Sequence, residues 1–130
     1  MGFNLSSTDS IKELQRLVTE FIQKRDWIKY HTPKNLAMSI AIEAAEILEL
    51  FQWLTNEEAL KIVETDRHLV KNLEDELADV MIYCLSLCSI AGIDINQAIR
   101  DKLLRNEERF PVHVVSGKLG PYNRYLNDER

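Results

Sequence analysis

The sequence contains 130 residues, of which 45% are hydrophobic and 28% are charged; this excludes a disordered chain, a collagen-like fibre and a disulfide scaffold. With only four Gly and three Pro, the chain has too little turn chemistry for a many-stranded β-fold. The net charge of −5 provides no basic surface for a nucleic acid duplex. We therefore predict one helical domain over residues 1–130 that does not bind duplex nucleic acid.

The first two predicted helices begin at clear N-terminal caps. A Ser10-x-x-Glu13 capping box precedes apolar residues that recur every three to four positions, which predicts a helix over about 9–26. Thr32 followed by Pro33 combines an N-cap residue with a proline at the first helical position. This pair predicts a second helix over about 33–54.

The next helices are bounded by a second capping box, a glycine and a proline. Thr55-x-x-Glu58 opens a stretch that keeps a helical pattern as far as Gly92, with a candidate break between 65 and 68. The second half of that stretch is the long third helix. Asp94-x-x-Gln97 caps a fourth helix, which Pro111 must end.

The short connections between these helices predict an antiparallel four-helix bundle in the all-α class. The helical core covers about 9–110, and the residues from Phe110 onward read as loop, so that 111–130 form an irregular C-terminal segment. The aromatic residues Tyr122 and Tyr125 make this segment a candidate to fold over a neighbouring subunit.

The N-terminus and the cysteines bear on the compartment. The first ten residues have neither the basic nor the apolar part of a secretory signal, and the longest apolar run is interrupted by Asp79. Cys84 and Cys88, four residues apart in one helical pattern, suit neither a disulfide nor a zinc site and are predicted to be core residues. We therefore expect a cytoplasmic protein that does not enter a membrane.

Several acidic residues fall where apolar ones are expected. Glu43 lies inside the apolar stripe of the second helix, Glu46 lies at the edge of that stripe, and Glu49 points outward. On the third helix, Glu76, Asp79 and Tyr83 form a narrow stripe on an otherwise apolar circumference. A pair of glutamates on a helix is more often a solvated face, but converging buried carboxylates require a positive charge among them.

The donor set selects the ion. Oxygen ligands favour a hard cation, Mg²⁺ with Mn²⁺ as a substitute, and disfavour zinc, which prefers Cys and His. A di-iron carboxylate bundle would need a His three residues after a Glu, and none of the three histidines stands there.

These residues carry a resemblance to a known family. Residues 41–53 and 74–83, with their E-x-x-E and E-x-x-D pairs, resemble the MazG-like all-α nucleoside triphosphate pyrophosphohydrolases. The segments 25–36 and 102–113 are similar to the small stand-alone members, which include the dCTP pyrophosphatase subgroup. The resemblance extends over most of the chain from about Phe21 onward.

The resemblance implies a role for individual residues. The Mg²⁺ ligands are Glu43, Glu46, Glu76 and Asp79, and the nucleotide pocket is formed by Trp27, His31, Trp53 and Tyr83. Lys102 and Asn106 are expected to contact phosphate oxygens, with Arg105 and Arg109 weaker candidates on the same helix face. The structural alternatives are a helix-end core anchor for Trp53, a packing residue for Trp27, a local hydrogen-bonding residue for His31 and a solvated basic face for the fourth helix.

The implied activity is Mg²⁺-dependent hydrolysis of nucleoside triphosphates between the α and β phosphates, with a dCTP-like or related preference and a role in sanitising the nucleotide pool. Glu46 or Glu49 is the candidate to orient or deprotonate the attacking water. Val18 and Leu104 stand where dCTP-preferring members have a His and an acidic residue, so the base preference stays open. A dUTP or modified-nucleotide specialist is one alternative, and a catalytically silent oligomerisation module is another.

The apolar circumference of the third helix predicts a homo-oligomer, since a small monomer cannot cover it. The resemblance implies a tetramer built as a dimer of dimers.

Overall fold

Helices account for nearly all of the regular structure in residues 10–118, the part of the chain that this computed structural model describes. Within these residues there is no strand, which confirms the predicted all-α class. The α-helices are α1 (Ile11–Lys24), α2 (Pro33–Phe51), α3 (Asn56–Thr65), α4 (Arg67–Ala91), α5 (Ile95–Arg109) and α6 (Val112–Val115), and a 3₁₀ turn covers Ile28–Tyr30.

Side-chain caps start the five long helices. The hydroxyls of Ser10, Thr32 and Thr55 accept hydrogen bonds from backbone N–H groups three residues later, at 3.1–3.3 Å. The carboxylates of Asp66 and Asp94 do the same at 3.0 and 3.1 Å. The caps predicted at 10, 32, 55 and 94 are therefore confirmed, and the candidate break near 65–68 is a real boundary at Asp66 between α3 and α4.

The helix ends differ from the prediction in three places. α1 ends at Lys24 rather than near 26, because Asp26 adopts a positive φ of 54° that a helix cannot accommodate. α2 ends at Phe51 rather than 54. The segment after Phe110 is not all loop, because Val112–Val115 form one helical turn after Pro111. The predicted role of Tyr122 and Tyr125 lies outside the described residues.

The chain divides into two compact units, the first ending at Ile93 and the second beginning at Asp94. In the first unit, α4 packs most extensively against α2 and then against α1 and α3. Three of the four helices predicted for the bundle, α1, α2 and α4, pack in this unit in a way that is consistent with the prediction, and α3 joins them on α4. The predicted fourth helix is α5, which belongs to the second unit. The core of the first unit consists of the buried residues Leu17, Ile22, Leu36, Leu85 and Cys88.

The two cysteines lie where the sequence predicts them. Cys88 is buried, Cys84 is half-buried, and both are free thiols, which confirms them as packing residues of α4. Within residues 10–118 no single helix has the length and apolar composition to cross a membrane, although α4 and α5 taken together meet that test.

Candidate metal centre

Three glutamates from two helices form an acidic cluster. Glu43 and Glu46 lie one turn apart on α2, and Glu76 lies on α4. One carboxylate oxygen from each residue lies within 4.8 Å of the other two, and all three side chains are half-buried. We refer to Glu43, Glu46 and Glu76 as the carboxylate cluster.

The packing of α2 on α4 creates this cluster. These two helices share the most extensive contact in the first unit, and Leu36, which is 1% exposed, fixes the first turns of α2 in the core. Residues three apart on a helix share a face, so Glu43 and Glu46 both reach the same side of α2. The cluster is therefore a consequence of the helical register rather than of a flexible loop.

Two oxygens of the cluster are buried and lack partners. Glu43 Oε2 and Glu76 Oε2 have no hydrogen-bond partner among the described residues. A buried carboxylate oxygen without a partner destabilises the folded chain by its full desolvation penalty. Two such oxygens in one cluster indicate that a ligand completes the site.

The proximity of the carboxylates raises two pKa values. Burial raises the pKa of Glu43 above its ordinary value, with the negative charge of Glu46 and then that of Asp79 adding to the effect. A hydrogen bond with Glu46, which requires a proton on Glu76, raises the pKa of Glu76 to about 7, with burial and the charges of Glu46 and Glu43 as further causes. The site therefore opposes its own ionisation near neutral pH.

Asp79 and Glu49 lie outside the carboxylate cluster. Asp79 follows Glu76 by three residues on α4 and is half-buried, close enough for its charge to raise the pKa of Glu43. It is not among the carboxylates whose oxygens lie within 4.8 Å of one another. Glu49 is exposed on α2, as predicted from its position on the helical wheel.

The cluster fits a divalent cation. Its donors are carboxylate oxygens from three residues, with neither His nor Cys among them, and hard cations prefer such ligands. A cation would neutralise the mutual repulsion and satisfy the two unpartnered oxygens. The acidic cluster can therefore hold a metal ion.

The three predicted aromatic residues differ in their exposure. Trp53, just beyond the end of α2, is 87% exposed, so the alternative of a helix-end core anchor is wrong. Trp27 is 43% exposed and packs edge-on against Phe21 with ring centroids 6.0 Å apart. Tyr83 is half-buried on α4, two turns beyond Glu76. Large exposed aromatic faces are suited to stacking on a ligand.

His31 has a defined tautomer. Its Nδ1 lies 2.7 Å from the carbonyl oxygen of Trp27, and a carbonyl can only accept, so Nδ1 donates this hydrogen bond. The local hydrogen-bonding role weighed for His31 is therefore present. In the neutral ring it leaves Nε2 as an acceptor for another group.

Comparison with known proteins places these features in a family. The model of the MazG-like family matches residues 38–117, which include the carboxylate cluster and Asp79. The chain is 35% identical to dCTP pyrophosphatase 1 of Bos taurus and 32% identical to dCTP pyrophosphatase 1 of Homo sapiens, in each case over 92% of this chain and 70% of the relative. The chain belongs to the MazG-like family.

A solved structure of similar fold supports the same assignment. A pyrophosphatase from Archaeoglobus fulgidus aligns with a TM-score of 0.72 and 41% identity, over 83% of this chain and 99% of that chain. The resemblance that the E-x-x-E and E-x-x-D pairs suggested is confirmed, and it places the carboxylate cluster of this MazG-like chain in the part that the family shares.

The predicted phosphate contacts lie in the second unit of this MazG-like chain. Lys102 is exposed and Asn106 is half-buried, both on α5. The backbone carbonyl of Asn106 accepts a hydrogen bond from Phe110 N at 2.7 Å at the end of the helix. Phosphate binding by these two side chains stays a prediction.

One feature of this MazG-like chain was not predicted from the sequence. A cavity of about 190 Å³ in the first unit is lined by Thr19, Ile22, Ile28, His31, Ser86, Ser89 and Ile90. Of these residues only His31 was singled out as a pocket residue. The available signal was the pair of serines that interrupts the apolar sequence of α4, because a polar residue on a buried helix requires a partner.

Proposed function

We propose that this chain is a metal-dependent pyrophosphohydrolase that cleaves deoxynucleoside triphosphates between the α and β phosphates, with a preference for dCTP or a related nucleotide. The observation that carries the proposal is the carboxylate cluster of a chain in the MazG-like family: two of its oxygens are buried and have no hydrogen-bond partner among residues 10–118. The relatives named dCTP pyrophosphatase 1 support the substrate class.

The proposed cofactor is Mg²⁺, with Mn²⁺ as a substitute, held by Glu43, Glu46, Glu76 and Asp79. Asp79 joins this set because it lies one turn from Glu76 and acts electrostatically on Glu43. When bound, the cation supplies positive charge against the phosphate oxygens and the pyrophosphate leaving group. It also allows an acidic protein, with a net charge of −5, to bind an anionic substrate.

The protein's own groups position the water and the nucleotide. Glu46 and Glu49 are the candidates to accept the proton of the attacking water, and the place of Glu46 inside the cluster favours it. Trp27, Trp53 and Tyr83 offer aromatic faces to the nucleotide, and His31 offers a hydrogen-bonding nitrogen. Lys102 and Asn106 donate to phosphate oxygens.

The proposed assembly is a homotetramer built as a dimer of dimers. Many large apolar side chains on several helices are exposed in the single chain, among them Met38, Ile42, Leu48, Leu60, Leu77, Leu103 and Leu104. Such an exposed apolar area is more than a small monomer keeps in water.

The same proposal treats residues 1–130 as one domain, since the family match over 38–117 spans both compact units.

The proposed role is removal of surplus or aberrant deoxynucleotides in the cytoplasm. The experiment that tests the activity is ³¹P NMR of the products formed from each canonical dNTP, dUTP and 5-methyl-dCTP, with Mg²⁺ and with a chelator. The variants are Glu43→Gln and, as a matched control, Glu64→Gln, which makes the same change at an exposed position on α3.

We expect monophosphate and pyrophosphate, abolished by the chelator and by Glu43→Gln and retained by Glu64→Gln. Orthophosphate with a nucleoside diphosphate would contradict the α–β cleavage. No turnover of any nucleotide would contradict the enzymatic assignment and favour a catalytically silent oligomerisation module.

A further inference from the structure

The cavity described above lies between α1, the 3₁₀ turn and α4, and its polar groups are not equivalent. Ser89 Oγ donates to the carbonyl of Leu85 at 3.2 Å, since that carbonyl can only accept. Ser89 Oγ therefore accepts from Gln15 Nε2 at 3.0 Å and from Thr19 Oγ1 at 3.1 Å. The hydroxyls of Thr19 and Ser89 are therefore both used in hydrogen bonds that connect α1 to α4.

Ser86 takes no part in this hydrogen-bond chain. Ser86 is only 3% exposed, and among the described residues no other polar residue is classed as buried. Its side chain lines the cavity. His31 lines the same cavity, and its Nδ1 is committed to the Trp27 carbonyl. The groups left to meet a ligand are thus the Ser86 hydroxyl, which can donate or accept, and the His31 Nε2, which accepts in the neutral ring.

The position of Ser86 along α4 relates the cavity to the carboxylate cluster. Glu76 and Ser86 are ten residues apart on one continuous helix, which corresponds to about 15 Å along its axis. Tyr83 lies between them, seven residues or two turns beyond Glu76 and therefore on the same face. Ser86 follows Tyr83 by three residues, which makes the two side chains neighbours on α4, but it lies about 80° around the helix from Glu76. A nucleotide with its phosphates at Glu76 would therefore pass Tyr83 and turn around α4 to bring its base to Ser86.

The size of the cavity limits what enters it. Its volume of about 190 Å³ is below the range of about 300–1,000 Å³ that whole drug-sized ligands occupy. Apolar walls from Ile22, Ile28 and Ile90 suit the faces of a flat ring. The cavity therefore fits one ring of a nucleotide rather than the whole molecule.

We propose that this cavity receives a pyrimidine base and that Ser86 is a specificity-determining residue which, with His31, selects the amino edge of cytosine. This inference rests on the proposed function. The exocyclic amine of cytosine donates to His31 Nε2, and the Ser86 hydroxyl donates to the adjacent ring nitrogen. Thymine and uracil present a carbonyl oxygen in place of the amine, so two acceptors would face each other.

The test measures kcat/KM for dCTP, dTTP, dUTP and dATP with the wild-type chain, Ser86→Ala and Ser89→Ala. For Ser86→Ala we expect kcat/KM for dCTP to fall about 3- to 10-fold, the effect of one neutral hydrogen bond, while kcat/KM for dTTP changes little. The ratio of dCTP to dTTP therefore falls by the same factor. The wild-type chain is expected to disfavour dATP because a purine has two rings.

Ser89→Ala is the matched control, since it removes a hydroxyl from the same cavity wall but one that already binds α1 and Leu85. We expect it to lower Tm and leave the dCTP to dTTP ratio unchanged. A wild-type enzyme that hydrolyses dCTP but whose base ratio is unaltered in Ser86→Ala, with both variants folded by circular dichroism, would overturn this inference alone. A wild-type chain inactive on every nucleotide would overturn the proposed function and this inference with it.

Discussion

Glu76 shows how a single side chain links fold and chemistry. Its pKa of about 7, against an ordinary value of 4.5, means that the folded chain without metal holds a proton that the unfolded chain releases. Between these two values the folded state binds more protons than the unfolded state. The contribution of Glu76 to the free energy of unfolding is therefore fully present below about pH 4.5 and is lost as the pH rises through about 7. The raised pKa of Glu43 acts in the same direction.

We predict that the unfolding free energy of the chelated wild-type chain decreases between pH 5 and pH 8 and that Glu76→Gln flattens this decrease. The amide keeps the size of the side chain but cannot ionise, so it removes the like-charge repulsion. Urea unfolding followed by circular dichroism at several pH values measures the effect. Glu64→Gln is the control and should keep the wild-type slope, whereas a chelated wild-type chain that gains stability over this range would refute the prediction.

Activity should respond to the same substitution in the opposite sense. Glu76→Gln removes a charged ligand of the proposed cation. Replacing a residue that only supports a metal ligand already lowers metal affinity or activity by about 10- to 100-fold. We therefore expect Glu76→Gln to lower the activity by more than about 100-fold. Pyrophosphate release at saturating Mg²⁺ measures this loss. A variant that is more stable without metal and still fully active would show that the carboxylate cluster is not the cation site.

The sequence located the carboxylates more reliably than it located the rest of the site. Glu43 was identifiable because a charge within an apolar stripe is costly, and helical periodicity fixes its direction. The separation of Asp79 from the cluster could not be read from spacing, since it depends on how far α4 is rotated against α2. Ser86 was missed because serines in an apolar helix often bond to their own backbone, so the pair at 86 and 89 does not by itself indicate a cavity.

At the scale of the helices, capping chemistry defined the starts better than the ends. Ser10, Thr32, Thr55 and Asp94 each place an oxygen over the third following N–H, a local arrangement that the sequence specifies. The end of α1 depends on Asp26, which adopts the left-handed conformation. The sequence has no glycine at this position that would have predicted the end of the helix. The turn of α6 is too short for a periodic pattern.

Gly92 gives a test of helix termination. It ends α4 in the left-handed conformation, with φ 67° and ψ 34°, and a Cβ placed there would meet no atom within 4 Å. The cost of Gly92→Ala is therefore backbone strain alone, and we expect a loss of about 1 kcal/mol in unfolding free energy. Urea denaturation measures it, and Gly92→Asn should recover part of the loss because Asn tolerates this region. Equal stability of the Ala variant and the wild type would contradict this account.

The core of the described residues, 10–118, is small for a single chain. Few large side chains are fully buried, whereas Leu48, Leu60 and Leu104 are each more than 60% exposed. We predict that light scattering coupled to size exclusion gives a mass four times that of the 15.1 kDa chain. A mass of one chain at micromolar concentration would contradict the proposed assembly.

Metal binding should stabilise the whole molecule. A cation that binds the folded chain alone adds about 2.7 kcal/mol of stability when its concentration is 100 times its dissociation constant. We therefore expect Mg²⁺ to raise Tm of the wild-type chain at pH 8 in differential scanning calorimetry and to leave Tm of Glu43→Gln nearly unchanged. An equal rise in both proteins would indicate a general salt effect.

The two tryptophans give the molecule an internal optical reporter. Trp53 is 87% exposed, whereas Trp27 is 43% exposed and packs against Phe21, so the two indoles have different surroundings and we expect different emission maxima. These are the only tryptophans in the chain, so replacing either one with Phe leaves a single emitter. Fluorescence of the two single-tryptophan proteins can then test in real time, without any attached dye, whether a nucleotide reaches either indole.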